Sequence, residues 1–391
     1  MPPAMAPPLR SILHRHRQLA PNASVRVSPL CLGTMNFGDA WKQRMGDCSK
    51  ETAFDILDCF LRKGGNFIDT ANAYQDEESE TWIGEWMASR NARDQIVLAT
   101  KYSGNLKSYK KEIIQSNYGG NGIKSMRLSL DASLKKLQTD YIDLFYVHWW
   151  DYATTIPELM HALNDLVTSG KVLYLGISDT PAWVVAKANQ YARDHSLRPF
   201  VVYQGMWNAA MRDMESDILP MCRDEGMGIC AYGTLGQGRF QTEAERRERE
   251  QTNAGRKTKP QTPEEREVSK VLEAIATEKG CQGCHISGIA MAYIMHKAPY
   301  VFPIVGGRKV AHLEGNINAL NVALNVEDME RIEACYDFDP GFPHTFLSGS
   351  MFTDDKPKAA QKPDDVWLTR SMGHFDWVQP QNPITPPVST D

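Results

Sequence analysis

The sequence predicts an α/β protein folded as a closed barrel of eight parallel strands, a (β/α)8 TIM barrel. Eight short apolar segments alternate with helical segments between residues 25 and 320, which is the pattern of parallel βα units. Polar residues suited to chemistry follow these segments, and in a closed barrel the C-terminal strand ends meet at one mouth. An open doubly wound sheet would hold most of these residues too far apart to act together.

The strands are predicted from short apolar runs bounded by turns or helices. They lie at residues 25–33, 67–69, 95–100, 141–147, 171–177, 200–203, 228–232 and 301–305. The first helix, residues 51–63, has apolar residues at helical spacing and stops at Gly64 and Gly65, a common helix end. The remaining helices are predicted at residues 77–90, 124–137, 157–168, 181–194, 213–225, 268–279, 286–296 and 310–320.

Two segments fall outside this alternation. The charged insertion after the seventh strand, residues 241–267, has few apolar residues and is either a mobile lid or a solvated insertion. The segment 339–391 is Pro-rich with isolated aromatic residues, and it either drapes over the mouth or is partly disordered. We therefore expect an N-terminal arm (1–22), the barrel (23–338) and a C-terminal extension (339–391).

Composition narrows the classes of partner and compartment. The net charge of -5 is close to balance, which argues against nucleic acid or an anionic membrane as a partner. No stretch approaches the roughly 20 apolar residues of a spanning helix, and residues 1–22 lack the apolar core of a secretory signal. The eight cysteines form no disulfide framework, so we expect free thiols and a cytoplasmic protein. We also expect a small-molecule substrate and no metal. The oligomeric state stays open.

One cysteine pattern, Cys281-Gln-Gly-Cys284-His285, has the spacing of c-type haem attachment. Such attachment needs an exported, oxidising setting, of which the sequence gives no sign. The pattern also lies between two predicted helices. We interpret the match as a coincidence.

Four polar residues near the ends of the second, third and fourth strands predict a proton-transfer site. Asp69 ends the second strand, Tyr74 follows in its loop, Lys101 ends the third strand and His148 ends the fourth. A buried acid at a strand end needs compensation, which Lys101 would supply. Each residue alone has an ordinary structural interpretation, as a helix cap, a rim aromatic, a solvated strand end or a structural histidine. Their coincidence at one mouth favours a joint role.

The chemistry of this set is that of carbonyl reduction. A phenol has a pKa near ~10, and an adjacent ammonium lowers it by favouring the phenolate. Tyr74 would give a proton to a carbonyl oxygen as hydride reaches the carbon, while Asp69 keeps Lys101 charged and in place. His148 would hydrogen-bond the same oxygen and orient the carbonyl.

Hydride transfer needs a nicotinamide cofactor, and three groups of residues could bind one. Ser178, Asp179 and Gln204 follow the fifth and sixth strands and could hold the carboxamide. The glycine-rich loop of residues 233–238 offers backbone N–H groups to a pyrophosphate, although its glycine spacing is not the Rossmann pattern. Residues 307–309 (GRK) precede a helix and suit a phosphate monoester, which favours NADP over NAD.

Six motifs, in this order, resemble those of the aldo-keto reductase superfamily. They are residues 65–74 (GNFIDTANAY), 99–101 (ATK), 141–148 (YIDLFYVH), 176–179 (GISD), 203–204 (YQ) and 306–316 (GGRKVAHLEGN). The resemblance spans about residues 25–334 and implies a (β/α)8 barrel, NADP(H), and Tyr74 as proton donor supported by the other three residues. It also implies carboxamide contacts from Ser178 and Gln204 and adenosine-phosphate contacts from residues 307–316. The expected cofactor residues are Asp69, Ser178, Asp179, Gln204, Gly233, Thr234, Leu235, Gly236, Gly238, Arg239, Gly307, Arg308, Lys309, His312 and Asn316.

Within the superfamily the chain resembles the fungal aryl-alcohol dehydrogenase and norsolorinic acid reductase branch. The motifs that carry this are residues 28–35 (SPLCLGTM), 146–151 (YVHWWD), 170–176 (GKVLYLG), 178–183 (SDTPAW) and 296–302 (HKAPYVF). The resemblance implies reversible reduction of an aromatic aldehyde or a polyketide-type ketone, in secondary metabolism. Many members have Asn after the Ser, whereas Asp179 can accept from a carboxamide NH2 but cannot donate to it. Trp149 and Trp150 could wall an aromatic pocket together with His148, although alternation lets at most one of the two face the mouth.

Two other classes of function stay open at this stage. A cofactor-binding regulatory module resembling potassium-channel β subunits would bind NADPH and reduce no carbonyl. A barrel glycosidase would use Asp69 and Asp143 as its carboxylate pair, but Asp143 lies inside a strand rather than at its end.

Overall fold

The structure, a computed structural model, describes residues 5–252, 256–257, 259–280, 285–335 and 337–386, and the backbone alone for residues 249–252. Its strands are β1 Arg17–Ala20, β2 Ala23–Val27, β3 Cys31–Gly33, β4 Phe67–Asp69, β5 Val97–Tyr102, β6 Ile142–Val147, β7 Val172–Ser178, β8 Phe200–Met206, β9 Gly228–Tyr232 and β10 Ile304–Val305. The last eight form one parallel sheet in the order β10, β3, β4, β5, β6, β7, β8, β9.

The sheet closes on itself between β9 and β10. The Ile229 N–H donates to the Tyr300 carbonyl at 2.9 Å, and the Phe302 N–H donates to the Ile229 carbonyl at 2.8 Å. These two bonds join β9 to the residues that lead into β10, and they complete the barrel. The predicted (β/α)8 TIM barrel is thereby confirmed.

Helices lie between the strands and in the C-terminal segment. They are α1 Lys42–Met45, α2 Lys50–Arg62, α3 Glu78–Arg90, α4 Ile123–Leu137, α5 Ile156–Thr168, α6 Ala182–Asp194, α7 Ile218–Asp224, α8 Glu243–Thr252, α9 Pro263–Lys279, α10 Ile286–Lys297, α11 Val310–Asn318, α12 Val326–Ala334 and α13 His344–Ser348. No helix in the described ranges is long and apolar enough to cross a membrane.

The barrel has two apolar cores because strand side chains alternate between its faces. On β6, Leu144 and Tyr146 point into the barrel, whereas Phe145 and Val147 pack against the surrounding helices. The hairpin of β1 and β2 adds Leu19 and other apolar residues to the inner core beside the first residues of the strands. The hairpin therefore fills the N-terminal end of the barrel, opposite the mouth.

Several predicted elements differ from the structure. The predicted strand 25–33 is two strands, β2 and β3, separated by a turn at Ser28 and Pro29. The predicted strand 301–305 reduces to β10 because Pro303 has no N–H for the ladder. The predicted helix 213–225 starts only at Ile218, since Pro220 fits the first turn of a helix but not its interior.

Both segments outside the barrel alternation contain helices. The insertion contains α8 and the start of α9, and between these helices the Lys257 N–H donates to the Arg44 carbonyl at 2.9 Å. The C-terminal segment runs along the outer wall, where Lys356 Nζ donates to the Ala334 carbonyl at 2.9 Å. Its later residues line a cavity beside Gln18 of the hairpin. The haem-like pattern (281–284) and residues 253–255 and 258 of the insertion lie outside the described residues.

Candidate active site

The centre of the candidate site is a buried ion pair between neighbouring strands. β4 and β5 run in parallel with Asp69 opposite Ala99, which brings Asp69 and Lys101 together at the mouth. Lys101 Nζ lies 2.5 Å from Asp69 Oδ1, and the two side chains are 0% and 5% exposed. An unpaired buried carboxylate would be strongly unfavourable, so Lys101 supplies the compensation that Asp69 requires.

Further hydrogen bonds fix this pair. Gln204 Nε2 donates to Asp69 Oδ2 at 2.9 Å, and Lys101 Nζ donates to the Thr70 carbonyl at 2.7 Å. Burial alone would lower the pKa of Lys101, but the Asp69 carboxylate raises it above its ordinary value. Lys101 is therefore a permanent cation in a fixed position.

The phenol of Tyr74 stands beside this cation, with Lys101 Nζ 5.1 Å from its ring centroid. Burial raises the pKa of Tyr74 above its ordinary value, and the opposing effect of Lys101 is smaller. The expectation of a lowered pKa is wrong in its net sign, because a sequence does not show how deeply the phenol is enclosed. The phenol keeps its proton at neutral pH, which is the form that a proton donor needs.

His148 completes the group. Its ring centroid lies 5.9 Å from that of Tyr74 in an edge-to-face arrangement. Burial, with a smaller effect from Lys101, lowers the pKa of His148 to about 3, so the imidazole is neutral at neutral pH. Its buried Nδ1 has no hydrogen-bond partner in the described part of the chain. A neutral imidazole can hydrogen-bond a carbonyl oxygen through whichever nitrogen carries the proton.

A left-handed turn follows Tyr74. Gln75, Asp76 and Glu77 have φ angles of 54°, 52° and 85°, although none is glycine. Such conformations are unfavourable for these residues and persist only where contacts hold them. Gln75 is fully buried and donates from Nε2 to the Met35 carbonyl at 2.9 Å. The turn fixes the backbone that carries the phenol.

Trp41, which the sequence analysis missed, lies on the loop between β3 and α1. Its ring centroid is 6.3 Å from that of Tyr74, at an interplanar angle of 66°. Its position beyond a strand end is the same signal that identified His148, but a loop residue eight positions past Gly33 has no fixed direction in a sequence. Hydrogen bonds to the turn at Gln75 and Asp76 give it that direction.

The residues expected at a carboxamide lie on β7 and β8, with Ser178 paired to Gln204. Ser178 Oγ is buried and has no hydrogen-bond partner among the described residues, so it can bond an added polar group. Asp179 has a φ of 41° and donates its N–H to the Gln204 carbonyl at 3.1 Å. The Tyr232 hydroxyl lies 3.1 Å from both Asp179 carboxylate oxygens and donates to this carboxylate.

The loop expected at a pyrophosphate, residues 233–239, is folded on itself. The N–H groups of Gly236, Gly238 and Arg239 donate to carbonyls within the loop at 2.9, 3.0 and 3.0 Å. Thr234 Oγ1 donates to the Ala231 carbonyl at 3.2 Å. The loop therefore already uses several of the N–H groups that were expected to meet a phosphate.

Two further residues of this loop have partners elsewhere. Arg239 Nε lies 2.7 Å from Glu265 Oε1 on α9. Leu235 packs at the edge of the outer apolar core. Gly233, with a φ of 69°, occupies a conformation that favours glycine.

The residues expected at an adenosine phosphate surround the start of α11. Arg308 and Lys309 precede this helix, and neither forms an ion pair with an acidic residue in the described chain. The Gly307 carbonyl accepts from Asn36 Nδ2 at 2.6 Å. Two free cations at a helix N-terminus suit a phosphate group. The exposed His312 and the buried Asn316 follow on the same helix.

The two tryptophans after His148 differ. Trp149 is 40% exposed, and its carbonyl accepts from Asn121 Nδ2 at 2.9 Å. Trp150 is half-buried and packs against the outer apolar core. Trp150 is therefore a packing residue, and a substrate contact from Trp149 stays a prediction.

Asp143 does not belong to this site. It lies on the outward face of β6, where Arg93 Nη2 donates to its Oδ2 at 2.8 Å and the Leu98 N–H donates at 3.0 Å. Asp69 points into the barrel instead. The carboxylate pair of a glycosidase is therefore wrong for this protein, because the two acids lie on opposite faces of the barrel wall.

Comparison with known proteins identifies the family. The profile of the Aldo/keto reductase family matches residues 29–337. The chain belongs to the aldo/keto reductase family. It is 65% identical to norsolorinic acid reductase B of Dothistroma septosporum over 95% of this chain and 94% of that one. It is 63% identical to norsolorinic acid reductase B of Aspergillus parasiticus (96% and 98% covered) and 48% identical to aryl-alcohol dehydrogenase [NADP(+)] of Phanerodontia chrysosporium (98% and 98% covered).

Members of the aldo/keto reductase family are oxidoreductases that use NAD(P)H. Several features of this chain fit such a cofactor. Within the part of the chain that the structure describes, the Ser178 hydroxyl has no hydrogen-bond partner, and Arg308 and Lys309 form no ion pair. Asp69, one of the expected cofactor residues, accepts hydrogen bonds from Lys101 and Gln204.

Proposed function

We propose that this aldo/keto reductase reversibly reduces an aromatic aldehyde or a polyketide-type ketone with NADPH, in secondary metabolism. The observation that carries the proposal is the position of Lys101, which contacts Asp69 at 2.5 Å and faces the Tyr74 ring at 5.1 Å. The names of the relatives, reductases of norsolorinic acid and dehydrogenases of aryl alcohols, support the substrate class.

NADPH, when bound, supplies the hydride. Tyr74 supplies the proton to the carbonyl oxygen, since its raised pKa keeps the phenol protonated until a stronger base forms beside it. Lys101 stabilises the phenolate that remains after the transfer. Asp69 is a positioning residue, because it holds Lys101 and accepts a second hydrogen bond from Gln204.

His148 orients the carbonyl. Its neutral ring lies edge-to-face with Tyr74, so one hydrogen bond from the imidazole and one from the phenol can meet at the same oxygen. A carbonyl held by two groups has its carbon in one direction only. That restriction aligns the carbon for hydride attack.

Arg308 and Lys309 support NADPH over NADH. Both are unpaired in the described chain and lie at the start of α11, where a phosphate monoester gains from the cations and the helix N-terminus together. A KM for NADH at least tenfold above that for NADPH would support the role of Arg308 and Lys309, and equal KM values would contradict it.

We assign the binding of the nicotinamide carboxamide to Ser178, Asp179 and Gln204.

The variant Tyr74→Phe tests the mechanism. We expect the turnover of an aromatic aldehyde to fall by roughly 10²- to 10⁴-fold, because the proton donor is lost while the ring remains. The Kd for NADPH, measured by fluorescence titration, should stay within about twofold of the wild type. Turnover within tenfold of the wild type would rule out Tyr74 as the donor.

A panel of carbonyl compounds tests the function itself. The wild-type protein should oxidise NADPH with benzaldehydes, aliphatic aldehydes or anthraquinone ketones, and most rapidly with the aromatic members. Tight NADPH binding without reduction of any of these would favour the regulatory module that resembles potassium-channel β subunits.

A further inference from the structure

The phenol of Tyr74 has a second aromatic neighbour besides His148. The indole of Trp41 lies edge-to-face with it, at 6.3 Å between centroids and 66° between planes. Trp41 is only half-buried, so part of this residue remains accessible. A carbonyl compound held at the Tyr74 hydroxyl would carry its substituent close to this surface.

Trp41 is held in place by the left-handed turn after Tyr74. Its backbone N–H donates to Gln75 Oε1 at 2.7 Å, and its indole Nε1–H donates to Asp76 Oδ1 at 3.0 Å. The guanidinium of Arg44 lies 4.8 Å from the indole centroid and covers one face. Because both acceptors directly follow Tyr74 in the chain, the indole and the phenol share one rigid support.

The unusual backbone of the turn is what directs these acceptors. Three successive non-glycine residues with positive φ send Gln75 and Asp76 toward the Trp41 loop rather than along a right-handed helix. Glu77 anchors the far end of the turn through an ion pair with Lys136 at 3.3 Å. Strain of this kind persists where the surrounding contacts over-determine it, and here those contacts position an indole.

We infer that Trp41 is a specificity-determining residue that selects substrates whose carbonyl carbon is attached directly to a flat aromatic ring. This inference rests on the proposed function, since it takes the Tyr74 hydroxyl as the point where the carbonyl is held. A conjugated ring is coplanar with its carbonyl and presents a polarised edge and face to the indole, which favours offset or edge-to-face packing. A saturated ring of the same size is thicker and gains only non-directional apolar contact.

A matched pair of substrates tests the inference. Benzaldehyde and cyclohexanecarbaldehyde carry the same functional group on a six-membered ring and differ in aromaticity. In Trp41→Leu we expect kcat/KM for benzaldehyde to fall about tenfold, mainly through KM, and kcat/KM for cyclohexanecarbaldehyde to change less than twofold. Trp41→Phe should keep most of the preference, because it keeps a ring at this position. A loss that is equal for both substrates in Trp41→Leu would overturn the inference.

Two variants of Asp76 test whether the orientation of the indole matters as well as its presence. Asp76→Leu removes the acceptor of the indole N–H and should reduce the benzaldehyde preference in part, whereas Asp76→Asn retains an acceptor and should preserve it. The control Trp377→Leu removes a tryptophan of the C-terminal segment, whose ring packs on Phe375, and should leave the preference unchanged. An unchanged preference in both Asp76 variants, with native circular dichroism, would contradict positioning by the turn.

Binding without turnover distinguishes failure of this inference from failure of the proposed function. Calorimetric titration of the NADP⁺-saturated protein with benzoate and with cyclohexanecarboxylate needs no reaction. Tighter binding of benzoate to the wild type, lost in Trp41→Leu, would support the aromatic wall even if neither aldehyde were reduced. Equal affinities for the two acids in the wild type would overturn it, whether or not the aldehydes are substrates.

Discussion

Two buried ion pairs lie in adjacent parts of the same barrel wall, and they differ in what remains unsatisfied around them. Arg93 and Asp143 lie on the outer face, 2.8 Å apart, with side chains 15% and 10% exposed. Arg93 also donates to the carbonyls of Ile96 and Tyr141 at 3.1 and 2.9 Å, so its guanidinium serves the wall itself. This pair joins β6 to the segment before β5 and has a structural role.

The pair of Lys101 and Asp69 faces the interior and the mouth instead. This pair is more deeply buried, and Lys101 Nζ lies 5.1 Å from the centroid of the Tyr74 ring. Close to that ring, the buried Nδ1 of His148 has no hydrogen-bond partner in the described chain. The comparison shows that burial and pairing alone do not indicate function. What distinguishes the inner pair is a titratable neighbour, Tyr74, and a nearby buried nitrogen whose hydrogen-bonding capacity is unmet within the described chain.

The largest expected effect comes from breaking the inner pair. In Lys101→Met we expect kcat to fall roughly 10³-fold, because the phenolate of Tyr74 loses the cation that stabilises it. Asp69 is also left as an unpaired buried charge, which costs about 3 kcal/mol of unfolding free energy. Steady-state kinetics and urea unfolding measure the two effects separately.

The double variant Asp69→Asn/Lys101→Met supplies the control. It removes both charges, so we expect part of the lost stability to return while kcat stays low. Recovery of kcat together with stability would mean that Lys101 only maintains the fold, and the distinction between the two pairs would then fail.

The outer pair should show the opposite balance. Arg93→Met leaves Asp143 buried without its cation, and we expect the unfolding free energy to fall by about 3 kcal/mol. The kcat/KM of the folded protein should stay within about twofold of the wild type, since the partners of Arg93 within the described residues all belong to the outer wall. A large loss of kcat/KM in protein shown to be folded would place Arg93 in the active site after all.

The sequence predicts the inner pair because residues at the C-terminal ends of barrel strands meet at the mouth. Asp69, Lys101, Ser178 and Gln204 all lie on strands, so their residue numbers alone place them at the mouth. The same logic separates Asp143, one strand position away from the inward-facing Leu144.

The features that escaped prediction depend on contacts between distant segments. Trp41 is directed by Gln75, 34 residues later, and no local pattern encodes that bond. The sequence predicts the hairpin of β1 and β2 only as part of an arm and part of a strand, because its packing against the inner core exists only once the barrel closes. The net pKa shift of Tyr74 likewise depends on how much protein encloses the phenol, which a sequence does not state.

The smallest expected effect concerns a third acid, Asp179. Unlike Asp69 and Asp143, it lies at the exposed rim and pairs with a phenol rather than a cation. Partial burial raises the pKa of Asp179 to about 6, although the hydrogen bond from the Tyr232 hydroxyl opposes this shift. A carboxyl whose pKa is higher in the folded protein than the unfolded value of about 4 binds protons on folding. Its contribution to stability is therefore greatest below pH 4 and is lost as the pH rises through 6.

We expect the difference in Tm between the wild type and Asp179→Asn to reflect this loss. As the pH rises from 4 to 7, the wild type should lose stability relative to Asp179→Asn, by less than about 1 kcal/mol because the rim is solvated. Thermal unfolding at several pH values, in low salt, measures the difference. A difference in Tm that stays constant across this pH range would show that Asp179 titrates as it does in water. The protein would then exclude solvent from Lys101 and Asp69 but not from the rim above them.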